Sequence, residues 1–130
     1  MGMFQANLTV TNINDPSRSF ENPFWVDTGA LYTFIPEDAL DSIGVEAIGY
    51  RNIQFADRGN PARCRLGQAS IKIRELNEPP LICQVVFAPA GSMYLLGATT
   101  LEAFSVDVDV IGKSLKPAAA IIASAKIPGA

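Results

Sequence analysis

An Asp-Thr-Gly triplet at 27–29 separates two apolar runs, Phe24-Trp25-Val26 before it and Ala30-Leu31-Tyr32-Thr33-Phe34-Ile35-Pro36 after it. Strand interiors disfavour aspartate, and a carboxylate taken out of water needs donors around it or its neutral form is favoured. The chain must therefore deliver an acid to a glycine turn between two strands that run into its core. Chemistry at Asp27 is the leading reason for such a placement. The alternative is a turn-forming aspartate whose side chain satisfies nearby amides.

The rest of the composition narrows what that chemistry can be. A chain of 130 residues, 48% hydrophobic and 18% charged, is expected to form one globular domain with a real core. Its formal charge of -3 leaves no basic footprint for nucleic acid. The absence of histidine removes Ser-His-Asp and Cys-His catalysis and argues against a zinc site. Cys64 and Cys83 are too few for a disulfide framework and read as buried thiols. The start, Met1 to Gln5, has neither the charge nor the apolar core of a signal peptide, and Ala118–Ala123 is too short to span a bilayer. Asn7-Leu8-Thr9 matches a glycosylation sequon that is idle without export. The expectation is a soluble cytoplasmic protein with no membrane and no nucleic-acid partner.

Short strands dominate the pattern. Phe4–Thr11 alternates apolar and polar residues and reads as a half-buried strand; Asn12–Asn22, rich in Asn, Asp, Ser and Pro, reads as a loop. Pro23–Val26 and Leu31–Ile35 read as strands on either side of the triplet. Pro36-Glu37-Asp38 is a helix start, with the helix stopping at Gly44. Ile53–Phe55 and Arg65–Ile73 flank a polar segment and predict a long hairpin. Ile82–Phe87 reads as a strand buried on both faces, and Ala98–Phe104 as a second short helix. Val106, Val108 and Val110 alternate with Asp107 and Asp109, which predicts a strand with one wet face, then a turn at 111–114. Gly112-Lys113-Ser114 lacks the upstream glycine of a phosphate loop, Asp107 standing in its place. A weak internal echo links Phe24–Ala30 with Tyr94–Ala98: each is an apolar run, then Gly-Ala, then a helix signal.

An Asp-Thr-Gly triplet alone arises by chance in about two per cent of chains of this length. Its frame is far more specific. Trp25-Val26-Asp27-Thr28-Gly29-Ala30, Phe34-Ile35-Pro36, Phe55-Ala56-Asp57-Arg58-Gly59 with Leu66-Gly67, and Leu95-Leu96-Gly97-Ala98-Thr99-Thr100-Leu101-Glu102-Ala103 occur in that order. With Ser105–Asp109 and Leu115-Lys116-Pro117 they resemble the retroviral-type (clan AA) aspartic proteases, and their bacterial single-domain relatives most. The resemblance covers about residues 4–117.

It implies a mostly β, closed retropepsin-like barrel with one or two short helices at 1–117, followed by an Ala-rich tail at 118–130. It also implies an aspartic endopeptidase acting on polypeptides, with no cofactor and with Asp27 as the catalytic carboxylate. Thr28, Gly29 and Ala30 would support the active loop, Thr28 by bonding across a dimer axis and Gly29 by offering its N–H to the carboxylate. Phe55, Ala56, Asp57, Arg58 and Gly59 would form a mobile flap, with Arg58 inserted into the usual Ala-Asp-Gly tip. Ala30 stands where many relatives carry serine, so one donor to the ionised acid is missing and the working pH is expected nearer neutral. Activity is implied only as a homodimer, because hydrolysis without metal or covalent intermediate needs one carboxylate as base and another as acid. Two carboxylates about 4 Å apart repel by roughly 4 kcal/mol at an effective dielectric near 20, so such a dyad, as aspartic proteases exemplify, shares one proton. A catalytically silent dimeric module that binds peptide or protein on the same fold is the alternative.

Overall fold

The computed structural model describes residues 3–57 and 59–119. Arg58 of the expected flap, and residues 120–130 of the expected tail, lie outside the described residues. The described residues are mostly β with two short helices: β1 (Gln5–Thr11), β2 (Ser19–Val26), β3 (Thr33–Pro36), α1 (Glu37–Ser42), β4 (Ala47–Ile53), β5 (Ala62–Ile73), β6 (Leu81–Ala88), β7 (Leu95–Leu96), α2 (Ala98–Ala103), β8 (Val106–Asp109) and β9 (Ser114–Pro117).

Seven strands form one sheet in the order β1-β2-β7-β3-β6-β5-β4. β1 also pairs with β5, from Leu8↔Ile73 to Thr11↔Ser70, so the pairings that leave β1 through β2 return to it through β5. β5 makes this possible by its length. Its first residues pair with β4, its middle with β6 and its last with β1.

Alternation explains which faces are inside. Ala6, Leu8 and Val10 of β1 point into the core with Phe24, Ile35, Leu40, Ile71, Ile73, Val85 and Leu96, each 0–1% exposed. A fully buried side chain of this size contributes about 1.5–3 kcal/mol, so this cluster dominates the stability. A smaller cluster of Phe34, Cys64, Leu66, Val86 and Ala88 lies beneath the β4–β5 hairpin. Both cysteines are buried thiols, as their small number predicted.

Three details connect sequence to these elements. Trp25 N–H donates to Tyr94 O at 2.9 Å, so position 23, two residues earlier, faces the same way but beyond the end of β7. Pro23, which lacks an N–H, costs no ladder bond there. Buried Asn12 donates to Ile43 O (2.8 Å) and accepts from Asn14 and Asp15 N–H (2.7 and 3.1 Å), tying the 12–18 loop to the end of α1. Gly44 follows α1 at φ +74°, the left-handed position that ends many helices, with the Arg18 guanidinium packed over it.

Some expectations shift. Residues 19–22 extend β2 rather than a loop, because β1 pairs with them despite their composition. Gln54 and Phe55 belong to the hairpin connection, since β4 starts earlier and ends at Ile53. β6 is buried on both faces only from Val85 onward, and Ile82 is 63% exposed. β9 pairs with β8 as a separate two-stranded sheet where the sequence suggested only a turn and a loose end.

Candidate active site

The triplet sits where β2 leaves the sheet. Trp25 and Val26 run parallel to Leu95 and Leu96, and Phe34 runs antiparallel to Leu95, so β7 is inserted between the strand entering the triplet and the strand leaving it. The two halves of the internal echo are thus side-by-side strands. Asp27 N–H donates to Leu96 O (3.0 Å), and Ala30 N–H closes the turn onto Asp27 O (3.2 Å). Beyond the turn, Ala98 and Thr99 N–H donate to Ala30 O (2.8 Å) and Leu31 O (2.9 Å), so the start of α2 holds the outgoing chain.

Gly97 makes this close passage possible. A Cβ there would lie 2.0 Å from Tyr32 O and 2.9 Å from Ala30 O. Its N–H donates to Thr33 Oγ1 (3.1 Å), and Thr33 Oγ1 shares a hydrogen bond with Thr100 Oγ1 (2.6 Å) in the core. Both threonines are at most 1% exposed, and each hydroxyl has its partner in the other.

Asp27 is half-buried; Thr28 and Gly29 are exposed. Gly29 N–H donates to Asp27 Oδ1 at 2.9 Å, which orients one carboxylate oxygen and leaves the other for a ligand. Asp27, Gly29 and Ala30 front a cleft of about 430 Å³ that Leu31, Tyr32, Phe34, Leu95 and hairpin residues 52–56 complete. Phe55 caps it edge-on against Phe34, ring centroids 6.0 Å apart. Asp27 is the one carboxylate among the described residues lining it.

The other singled-out positions are distributed around this cleft. Phe55 and Ala56 lie in it. Asp57 instead lines a neighbouring cleft of about 410 Å³ with Ala88, Gly91, Ser92 and Met93, across the Phe34–Phe55 pair. Gly59 is exposed at the hairpin tip. Thr28 lines a second, smaller pocket together with Asp27, Met3, Phe4, Val26, Val108 and Val110. The walls made by Leu31, Tyr32 and Leu95 went unread in the sequence, although their spacing from the triplet and from Gly97 was available as a signal. Among the described residues no group of three or more Cys, Asp or Glu side chains is placed to hold a metal ion, and no helix is long and apolar enough to cross a membrane.

No protein-family profile matches this chain, and no curated protein matches it. Among solved structures it is similar to a retropepsin-like aspartic protease from Rickettsia conorii, with 16% identity and a TM-score of 0.55 over 87% of this chain and 90% of that one. At that identity the likeness establishes the fold: a mostly β, retropepsin-like architecture shared with an aspartic protease.

Proposed function

We propose that this chain is one half of an aspartic endopeptidase, a closed retropepsin-like barrel whose homodimer brings Asp27 against the partner's Asp27. The observation that carries the reading is a single carboxylate, oriented by Gly29 N–H, fronting a peptide-sized cleft beneath a hairpin. One carboxylate cannot be base and acid in the same step. In the dimer the ionised member of the pair takes a proton from water, which attacks the peptide carbonyl carbon. The protonated member gives its proton to the carbonyl oxygen. Collapse of the tetrahedral intermediate then breaks the C–N bond: the protonated member gives its proton to the leaving amine while the ionised member takes one from a hydroxyl of the intermediate, which restores the singly protonated dyad. Exposed Thr28, beside Asp27, is the residue proposed to bond across the axis and stiffen both loops. The hairpin from Phe55 to Gly59 is the proposed flap, closing over the substrate and excluding water.

The deciding measurement is cleavage of an unstructured protein by the wild type and by Asp27→Asn. The variant should lose at least about a hundredfold in kcat/KM, and a pepstatin-like inhibitor should block the wild type. Equal cleavage by both proteins would remove the dyad. Peptide binding without cleavage by either would favour a silent binding module.

A further inference from the structure

The hairpin has two chemically distinct faces. Its register pairs Arg51 with Cys64 and Ile53 with Ala62, while Tyr50 pairs with Arg65 and Asn52 with Arg63. Alternation puts Arg51 on the same face as Ile53, Ala62 and Cys64, which pack toward the small apolar cluster under the hairpin. The other two arginines of the paired strands are engaged elsewhere. Arg63 lies over the Tyr50 ring at 4.6 Å, and Arg65 forks onto Asp41 (3.0 Å to each oxygen) while covering Phe87.

Among the described residues Arg51 is therefore the one cation on an otherwise apolar face. Its Nε donates to Tyr32 Oη at 3.2 Å and its Nη1 to Tyr50 O at 2.8 Å. Tyr32 lines the Asp27 cleft. Because the Tyr32 oxygen accepts from Arg51, its own proton is available to donate. Among the described residues Arg51 Nη2 has no hydrogen-bond partner and Arg51 no ion pair. Two donors, a guanidinium edge and a phenol, thus meet beside the Asp27 cleft, which Tyr32 lines and Arg51 adjoins through it.

We propose that Arg51 and Tyr32 form a carboxylate-reading position, so that the peptides this cleft accepts carry an acidic side chain at one place removed from the scissile bond. The proposal rests on the peptide-cleft reading above. Same-face positions on a strand lie about 7 Å apart, which separates Arg51 from Ile53 and separates alternate side chains of an extended peptide equally. An apolar side chain against Ile53, Phe34 and Phe55 would place the residue two positions along at Arg51. The preferred sequence therefore has Glu or Asp two residues from a large apolar residue.

The test uses peptides acetylated and amidated at their ends, so that the side chain at that position is the only carboxylate, present as Glu or replaced by Gln or Lys. Binding is measured on Asp27→Asn and cleavage on the wild type. Glu peptides should bind about tenfold more tightly than Gln peptides. The ratio should shrink toward one in 0.5 M salt and when Arg51→Gln is added, and Arg51→Glu should shift the preference to Lys. A merely structural role for Arg51 would weaken Glu and Gln peptides alike, and that result would overturn the proposal. So would tight binding of a Gln peptide that differs only in a free C-terminal carboxylate, since the site would then read chain ends. Cleavage without a Glu preference sinks the proposal and leaves the protease reading intact. A Glu preference in binding without cleavage does the reverse, and the absence of both binding and cleavage ends both.

Discussion

Gly97 bears the severest steric demand of the site, because the obstacles are the backbone carbonyls of Tyr32 and Ala30, which no rotamer change moves away. Gly97→Ala should cost about 3 kcal/mol or more, or abolish folding, as read from the urea midpoint. The Thr33–Thr100 pair beside it makes a graded prediction. Thr33→Val strips partners from both Gly97 N–H and the Thr100 hydroxyl and should cost about 1–3 kcal/mol. Thr100→Val spares the Gly97 bond and should cost less, and the double variant should lose less than the sum of the singles. Burial pushes the Cys83 thiol up, away from its reactive thiolate form. Cys83, and Cys64 because it is buried, should resist iodoacetamide in the native protein and react only once it is unfolded, which mass spectrometry would register.

Among the elements, the β4–β5 hairpin and the β8–β9 pair differ in what holds them. The hairpin is anchored by Phe55 on Phe34 and by Arg65 on Asp41. Phe55→Ala should cost only about 1 kcal/mol in stability while raising KM for peptides, because it removes the cap and leaves the core intact. The β8–β9 turn is held by Asp109, which accepts from Gly112 N–H (2.9 Å) and pairs with Lys116 (2.9 Å). The Gly112 bond, then Lys116, keeps the Asp109 carboxyl below the ordinary carboxylate value. A depressed folded-state value means that its support is complete above the ordinary carboxylate range and is lost as pH falls through the lowered value. The Gly112 amide resonance should therefore move toward its unstructured position only in strong acid, and Asp109→Asn should weaken that dependence.

The elements also show what a sequence can and cannot disclose. Period-2 alternation made β1 and β8 legible, and proline followed by acids marked α1, because those signals are local. Residues 19–22 and 47–52 were hidden because polar residues and a glycine (Ser19, Glu21 and Asn22; Gly49, Arg51 and Asn52) interrupt their few apolar ones; pairing with β1 and β5 makes them strands. Asp27 was conspicuous because it breaks a local rule between two apolar runs. Tyr32, Arg51 and Leu95 were not, since an arginine in a hairpin arm or a leucine in a short strand is ordinary until the fold brings it to the cleft.

For the whole molecule, the proposed activity belongs to a pair of chains and should obey mass action. Specific activity should fall on dilution through the dimer dissociation constant, in step with the sedimentation coefficient. Activity that stays constant in a wholly monomeric sample would contradict a shared site. The order of strands has a temporal consequence as well. The strand that braces the Asp27 turn from the side is β7, a two-residue strand that arrives far later in the chain than the turn it supports. During synthesis the acid emerges from the ribosome early and waits, unbraced, until the segment near Leu95 follows. Such long-range closure is intrinsically slow, so the proposed site stays incomplete until the segment near Leu95 has been made and has closed onto the turn.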